Sequence, residues 1–248
     1  MQETYRAIKG RRSDEIPTVV TTPEGKAQGV IVLAAEAYGI NRFMRSVAHD
    51  LAEAGYIAIT PDYYRGGGPT KPDDYSDTTE VREFVASLDF VRGTHDILAG
   101  IDEAVRETAI LGKVPRFVWG YCTGGTLALL AAALDNRIDG AVLFFPSQPR
   151  FEHLTSKRPV HPIDMLWNVS CPMMLLYGDR DEPLRAIAQE LVARLEQWEI
   201  PNKICVYPGA GHAFSAPDPP FRNEAAATAS WADAMEFIRE IGPHSRSH

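Results

Sequence analysis

The chain has 248 residues, 45% of them hydrophobic and 23% charged, with a formal net charge of −8. That is the composition of an ordinary folded globular protein. The acidic balance, with no basic run longer than Arg11-Arg12, argues against a nucleic-acid partner and an anionic membrane surface. The three cysteines, Cys122, Cys171 and Cys205, fit neither a disulfide framework nor a zinc site. No signal-peptide core opens the chain and no apolar run is long enough to span a membrane, so a reducing, cytoplasmic setting is expected.

Residues 1–27 predict a short strand, a charged turn at Lys9-Gly10-Arg11-Arg12 and a second strand at Ile16 to Thr21. Gly29 to Ala34 is a continuous apolar run, the pattern of a central strand covered on both faces. It ends at Glu36-Ala37-Tyr38-Gly39. A helix is expected from Asn41, its N-cap, to Ala54, stopped by Gly55. Tyr56 to Thr60 reads as the next strand. The Gly-, Pro- and Asp-rich residues 62–79 read as a loop, within which Gly66 to Asp77 is a candidate lid. Glu80 to Thr108 reads as helix, interrupted near Gly93-Thr94.

Phe117-Val118-Trp119 reads as a buried strand, Gly120-Tyr121-Cys122-Thr123-Gly124-Gly125 as a tight turn, and Thr126 to Leu134 as a buried helix. Gly140 to Phe145 is a strand. Residues 147–168, with three prolines and no period, read as an excursion over the sheet edge and a second lid candidate. Met173 to Gly178 and Lys203 to Tyr207 read as strands, Arg185 to Trp198 and Asn223 to Ile241 as helices. Strands alternating with helices predict an α/β fold with a mostly parallel central sheet and helices on both faces. One domain over 1–242 and a disordered tail over 243–248 are expected.

In an open parallel sheet, ligands bind beyond the carboxyl ends of the strands. The reactive residues just past those ends are Glu36, Cys122, Asp179 or Asp181, and His212. A thiol at the apex of a strand-to-helix turn meets the helix N-terminus, whose dipole favours the thiolate. A cysteine nucleophile needs a base, and the base an orienting carboxylate. The order Cys, Asp, His along the chain is that of α/β-hydrolases. Each piece alone is ordinary: a small packed thiol, a helix-capping aspartate, a solvated histidine. Cys171 and Cys205 are expected in the core, and His49, His95, His153 and His161 away from any chemistry.

At these residues the chain resembles the dienelactone hydrolase family, through Glu36-Ala37-Tyr38-Gly39-Ile40-Asn41, Ala58 to Tyr64, the Cys122 turn, Tyr177-Gly178-Asp179-Arg180-Asp181 and Gly209-Ala210-Gly211-His212-Ala213-Phe214. The resemblance implies an α/β-hydrolase fold and hydrolysis of an ester or lactone through a thioester, with no cofactor and no metal. It implies Cys122 as nucleophile, His212 as general base, Asp181 as its orienter and a Glu36 that keeps the resting thiol protonated. The oxyanion hole would be the N–H groups of Thr123 and Ala37. Arg82, Tyr38, Tyr63, Tyr64 and Phe214 are candidate substrate contacts. Of the two arginines that hold the substrate carboxylate in that family, one position holds Ala216 and the other falls near Thr78, with Arg82 one helical turn later as an imperfect substitute. A general carboxylesterase or thioesterase, and a silent small-molecule binder, are the alternatives. The expected partner is a small ester or lactone, with neither nucleic acid nor membrane, and a monomeric or homodimeric chain.

Overall fold

The computed structural model describes residues 1–112 and 114–242. The predicted tail, 243–248, lies outside the described residues. Among the described residues, eight strands form one sheet: β1 (Gln2–Lys9), β2 (Glu15–Thr22), β3 (Gly29–Ala34), β4 (Tyr56–Pro61), β5 (Arg116–Tyr121), β6 (Gly140–Phe144), β7 (Met173–Gly178) and β8 (Asn202–Tyr207). Their spatial order is β1-β2-β4-β3-β5-β6-β7-β8. β1–β2 and β2–β4 pair antiparallel, and every later pairing is parallel. The fold is thus the α/β-hydrolase arrangement expected. Among the described residues, six α-helices complete it: α1 (Arg42–Glu53), α2 (Thr79–Ser87), α3 (Phe90–Leu111), α4 (Thr123–Leu134), α5 (Glu182–Gln197) and α6 (Glu224–Ile241).

The continuous apolar runs became the sheet's interior. Every residue of β3, β4, β5, β6 and β7 is buried, as covering a parallel sheet on both faces requires. β8 is the edge, which leaves Cys205 half-buried rather than in the core. Cys171 is buried as expected.

Three helix starts differ from the sequence reading. The long helix breaks at Leu88-Asp89, not at Gly93-Thr94, because the Asp89 side chain accepts from Arg92 N–H and starts a new helix there. Gly93 stays helical and lets α3 approach α4: a Cβ there would stand 3.2 Å from the Leu127 side chain. α4 begins at Thr123 and α5 at Glu182, each one turn earlier than the apolar pattern suggested. The 147–168 excursion contains a 3-10 helix, Pro162–Asn168. Among the described residues no helix is long and apolar enough to cross a membrane.

Candidate active site

Gly120 and Gly124 build the turn between β5 and α4. A Cβ on Gly120 would lie 2.2 Å from the Gly124 carbonyl oxygen, and one on Gly124 would lie 2.1 Å from that of Ala34. Only glycine permits so close an approach. Cys122 at the apex has φ +51° and ψ −115°, a conformation that costs a non-glycine residue about 1–3 kcal/mol. Two further non-glycine residues of positive φ, Phe145 and Ala213, belong to the same site. The Phe145 ring meets the His212 ring edge-on at 5.3 Å, and Ala213 follows His212.

The thiol Sγ lies 3.1 Å from His212 Nε2, and His212 Nδ1 lies 2.7 Å from Asp181 Oδ2. Asp181 is fixed in turn: its Oδ1 accepts from Leu184 N–H and caps α5. The alternative, Asp179, is engaged elsewhere, accepting from Gly209 N–H at 2.7 Å. Three strand ends, those of β5, β7 and β8, thereby converge on one relay.

The electrostatics follow from this geometry. Burial acts to raise the Cys122 thiol, and Glu36 adds to that. The charge and hydrogen bond of His212 outweigh both and hold the thiol below its ordinary value. Burial opposes the charged form of His212, but the Cys122 thiolate and Asp181 raise it to about 10. The pair therefore favours thiolate and imidazolium.

Glu36 is buried just past β3. Its Oε1 accepts from Asn41 Nδ2 at 2.9 Å and, through a very short bond, from the Tyr75 hydroxyl. Burial pushes its carboxyl above the usual range, while those two bonds and the His212 charge act in the other direction. Asn41 is the N-cap expected for α1, accepting from Met44 N–H, and its amide also donates to Pro72 O and Tyr75 Oη. The 66–77 loop is thus stitched to the site.

Thr123 and Ala37 are both buried beside the thiol. Thr123 is the first residue of α4, so its N–H has no carbonyl one helical turn back to receive it. Ala37 is the second residue of a turn closed by Gly39 N–H to Glu36 O, a bond that does not use its own N–H. Tyr63 Oη donates to Glu36 O at 2.6 Å and Tyr64 Oη to Ala37 O at 2.9 Å, so both tyrosines hold this turn from behind. Phe214 is fully buried against Phe145 and Tyr207. The Tyr38 and Tyr75 rings pack at a tilt, with centroids 4.5 Å apart. Arg82 is exposed on α2, whereas its neighbour Val81 faces Ala37, Tyr38, Tyr75 and Ala216.

Sequence reasoning missed Tyr75 and Ser147. Ser147 N–H donates to Cys122 O at 3.1 Å, and Ser147 Oγ lies 3.5 Å from Thr123 Oγ1. Its place just past β6 was the available signal. Tyr75 sits in a loop whose path nothing local dictates.

The sequence profile of the dienelactone hydrolase family matches residues 16–242. A Bradyrhizobium protein named as the probable 2-oxo-3-(5-oxofuran-2-ylidene)propanoate lactonase is 31% identical over 219 residues, 87% of this chain and 84% of its own. A Salmonella typhimurium protein provisionally named carboxymethylenebutenolidase is 28% identical over 240 residues, 93% of this chain and 85% of its own. Among solved structures, the dienelactone hydrolase of Anabaena variabilis superposes with a TM-score of 0.71 at 20% identity, covering 97% of this chain and 98% of that one. A likeness at that identity is one of fold.

Proposed function

The chain belongs to the dienelactone hydrolase family, and from that premise we propose that it hydrolyses a carboxylic ester or lactone through a thioester on Cys122. The observation that carries this is the unbroken relay of Sγ, His212 and Asp181, at 3.1 and 2.7 Å, on a strained turn at the end of the sheet.

The thiolate attacks the acyl carbon, and the carbonyl electron pair moves onto oxygen. The Thr123 and Ala37 N–H groups receive that oxyanion; removing one such donor typically costs about 3–4 kcal/mol of transition-state stabilisation. As the tetrahedral species collapses, His212 Nε2 gives its proton to the departing oxygen, leaving an acyl group on sulfur. His212, now neutral, takes a proton from water as that water attacks the thioester. The carboxylic acid leaves, and the thiolate and imidazolium are restored. Asp181 holds the ring in register and supports its charge. Glu36, anchored by Tyr75 and Asn41, sits close enough to temper the thiolate, and we assign it that role.

A lactone substrate is supported by the names of the relatives. A general carboxylesterase activity is favoured by one observation, the alanine at position 216, buried where that family carries a substrate-binding arginine. Initial rates on 4-nitrophenyl acetate and a simple enol-lactone, with wild type beside Cys122→Ala, test the proposal. Turnover that vanishes in the variant is expected; turnover that survives unchanged overturns it.

A further inference from the structure

Cys122 packs against a buried wall formed by Ala37, Tyr38, Tyr75, Val81 and Ala216, on which Val85 and Phe221 also pack. Helix α2 turns Val81, and Val85 one turn later, toward this wall, since residues four apart share a helix face. Arg82 therefore points away and is exposed. Ala216 is 1% exposed and fills its place in the wall with a methyl group.

The groups whose charge acts on the Tyr38 hydroxyl are acidic ones. Glu36 lies buried behind the wall, and Glu36, Cys122, Asp74 and Asp77 all act on the Tyr38 hydroxyl. Lys71 faces Asp74 and Asp77, which partly spend its charge. His212 is committed to the thiolate and to Asp181. The Tyr38 hydroxyl is buried and has no acceptor among the described residues.

Resting on the hydrolytic reading above, we propose that the acyl side of this site takes uncharged groups bearing a neutral oxygen acceptor for Tyr38, and turns away acyl groups that carry a carboxylate. A carboxylate brought there meets Glu36 and the thiolate, while the imidazolium of His212 is already paired with the thiolate and Asp181, and like charges repel strongly in a partly dry site. Burial, then the neighbouring anions, push Tyr38 up to about 12, which keeps it a donor at neutral pH.

Two comparisons test this. The first measures alkylation of Cys122 by iodoacetamide and by iodoacetate, read by mass spectrometry on the Cys122 peptide and normalised to the same ratio for glutathione. In both reactions sulfur displaces iodide, so charge is the difference. The neutral reagent should be favoured at least about 10-fold over the glutathione ratio, with the preference shrinking as salt screens it. Iodoacetate reacting equally fast or faster overturns the proposal. The second compares kcat/KM for 4-nitrophenyl butyrate, 4-nitrophenyl hydrogen succinate and its methyl ester. The butyryl and methyl succinyl esters should exceed the succinyl acid at least about 10-fold; equal or faster turnover of the acid overturns the proposal. Alkylation needs no turnover, so a neutral preference there with no ester hydrolysis would count against hydrolysis and not against this specificity.

Discussion

A thiol near neutral pH is a weak nucleophile until a neighbour stabilises its anion, and at Cys122 that neighbour is His212 at 3.1 Å. The sign of the pH dependence follows. The thiol is held below its ordinary value, so thiolate is present at a pH where free cysteine, with a pKa of about 8.5, is mostly protonated. Iodoacetamide should therefore alkylate Cys122 with an inflection below that of free cysteine. Glu36 acts to raise the thiol, so Glu36→Gln should move the inflection lower still; an upward move would contradict the role given to Glu36. Asp181 makes its case through geometry, 2.7 Å from Nδ1 and fully shielded from solvent. Asp181→Asn should lower kcat by ~10²- to 10⁴-fold while KM changes little, as steady-state kinetics would register. Asp181 and Asp179 were indistinguishable from the residues alone, because both follow β7 by a few positions. The bond of Asp179 to Gly209 N–H, a contact between two loops, separates them.

At the scale of elements, the turn carrying Cys122 depends on backbone packing more than on side chains. Gly124→Ala would set a Cβ 2.1 Å from the Ala34 carbonyl and 2.3 Å from that of Ala35, both backbone atoms that cannot swing aside. We expect a loss of ~3 kcal/mol or more in denaturant unfolding, or no folded protein. Gly211→Ala meets nothing within 4 Å and should leave stability within about 0.5 kcal/mol of wild type. The strands were legible because burial on both faces writes itself as uninterrupted apolar runs, as in Gly29 to Ala34. The break between α2 and α3 was not. A glycine in a helix looks like a breaker, yet Gly93 is there for contact with Leu127, and the true boundary is the capping side chain of Asp89. Tyr75 was invisible for a different reason: its bond to Glu36 spans 39 residues across a loop.

For the molecule as a whole, the antiparallel hairpin β1–β2 joins the sheet through β2–β4 pairing and is fastened to the helices through charge. Arg11, in the turn of that hairpin, reaches Asp102 on α3 at 2.8 Å and Asp135 beyond α4 at 2.7 Å, and Arg137 bonds the same two carboxylates. Burial acts to raise Asp135, but its bonds to Arg137 and Arg11 hold it down at about 2. A carboxylate with a depressed folded pKa contributes stability that is present above its ordinary value of about 3.9 and lost as pH falls through its folded value. Arg11→Ala should therefore cost about 1–2 kcal/mol at neutral pH, the loss being moderate because Arg137 remains. That corresponds to a Tm lower by roughly 2–8 °C, with the gap to wild type closing as pH falls from about 4 toward 2. A gap independent of pH would contradict it. In the sequence, Arg11-Arg12 was only a charged turn; its partners lie more than 90 positions away.

Hydrolysis through Cys122 requires an acyl group on sulfur, which rapid quenching of the reaction with 4-nitrophenyl acetate would trap. A burst of nitrophenol of about one equivalent per chain is expected, with an acetyl group on the Cys122 peptide that hydroxylamine removes. Acetyl found instead on Ser147 or Thr123, or full turnover with no acyl-enzyme and no effect of Cys122→Ala, would contradict it.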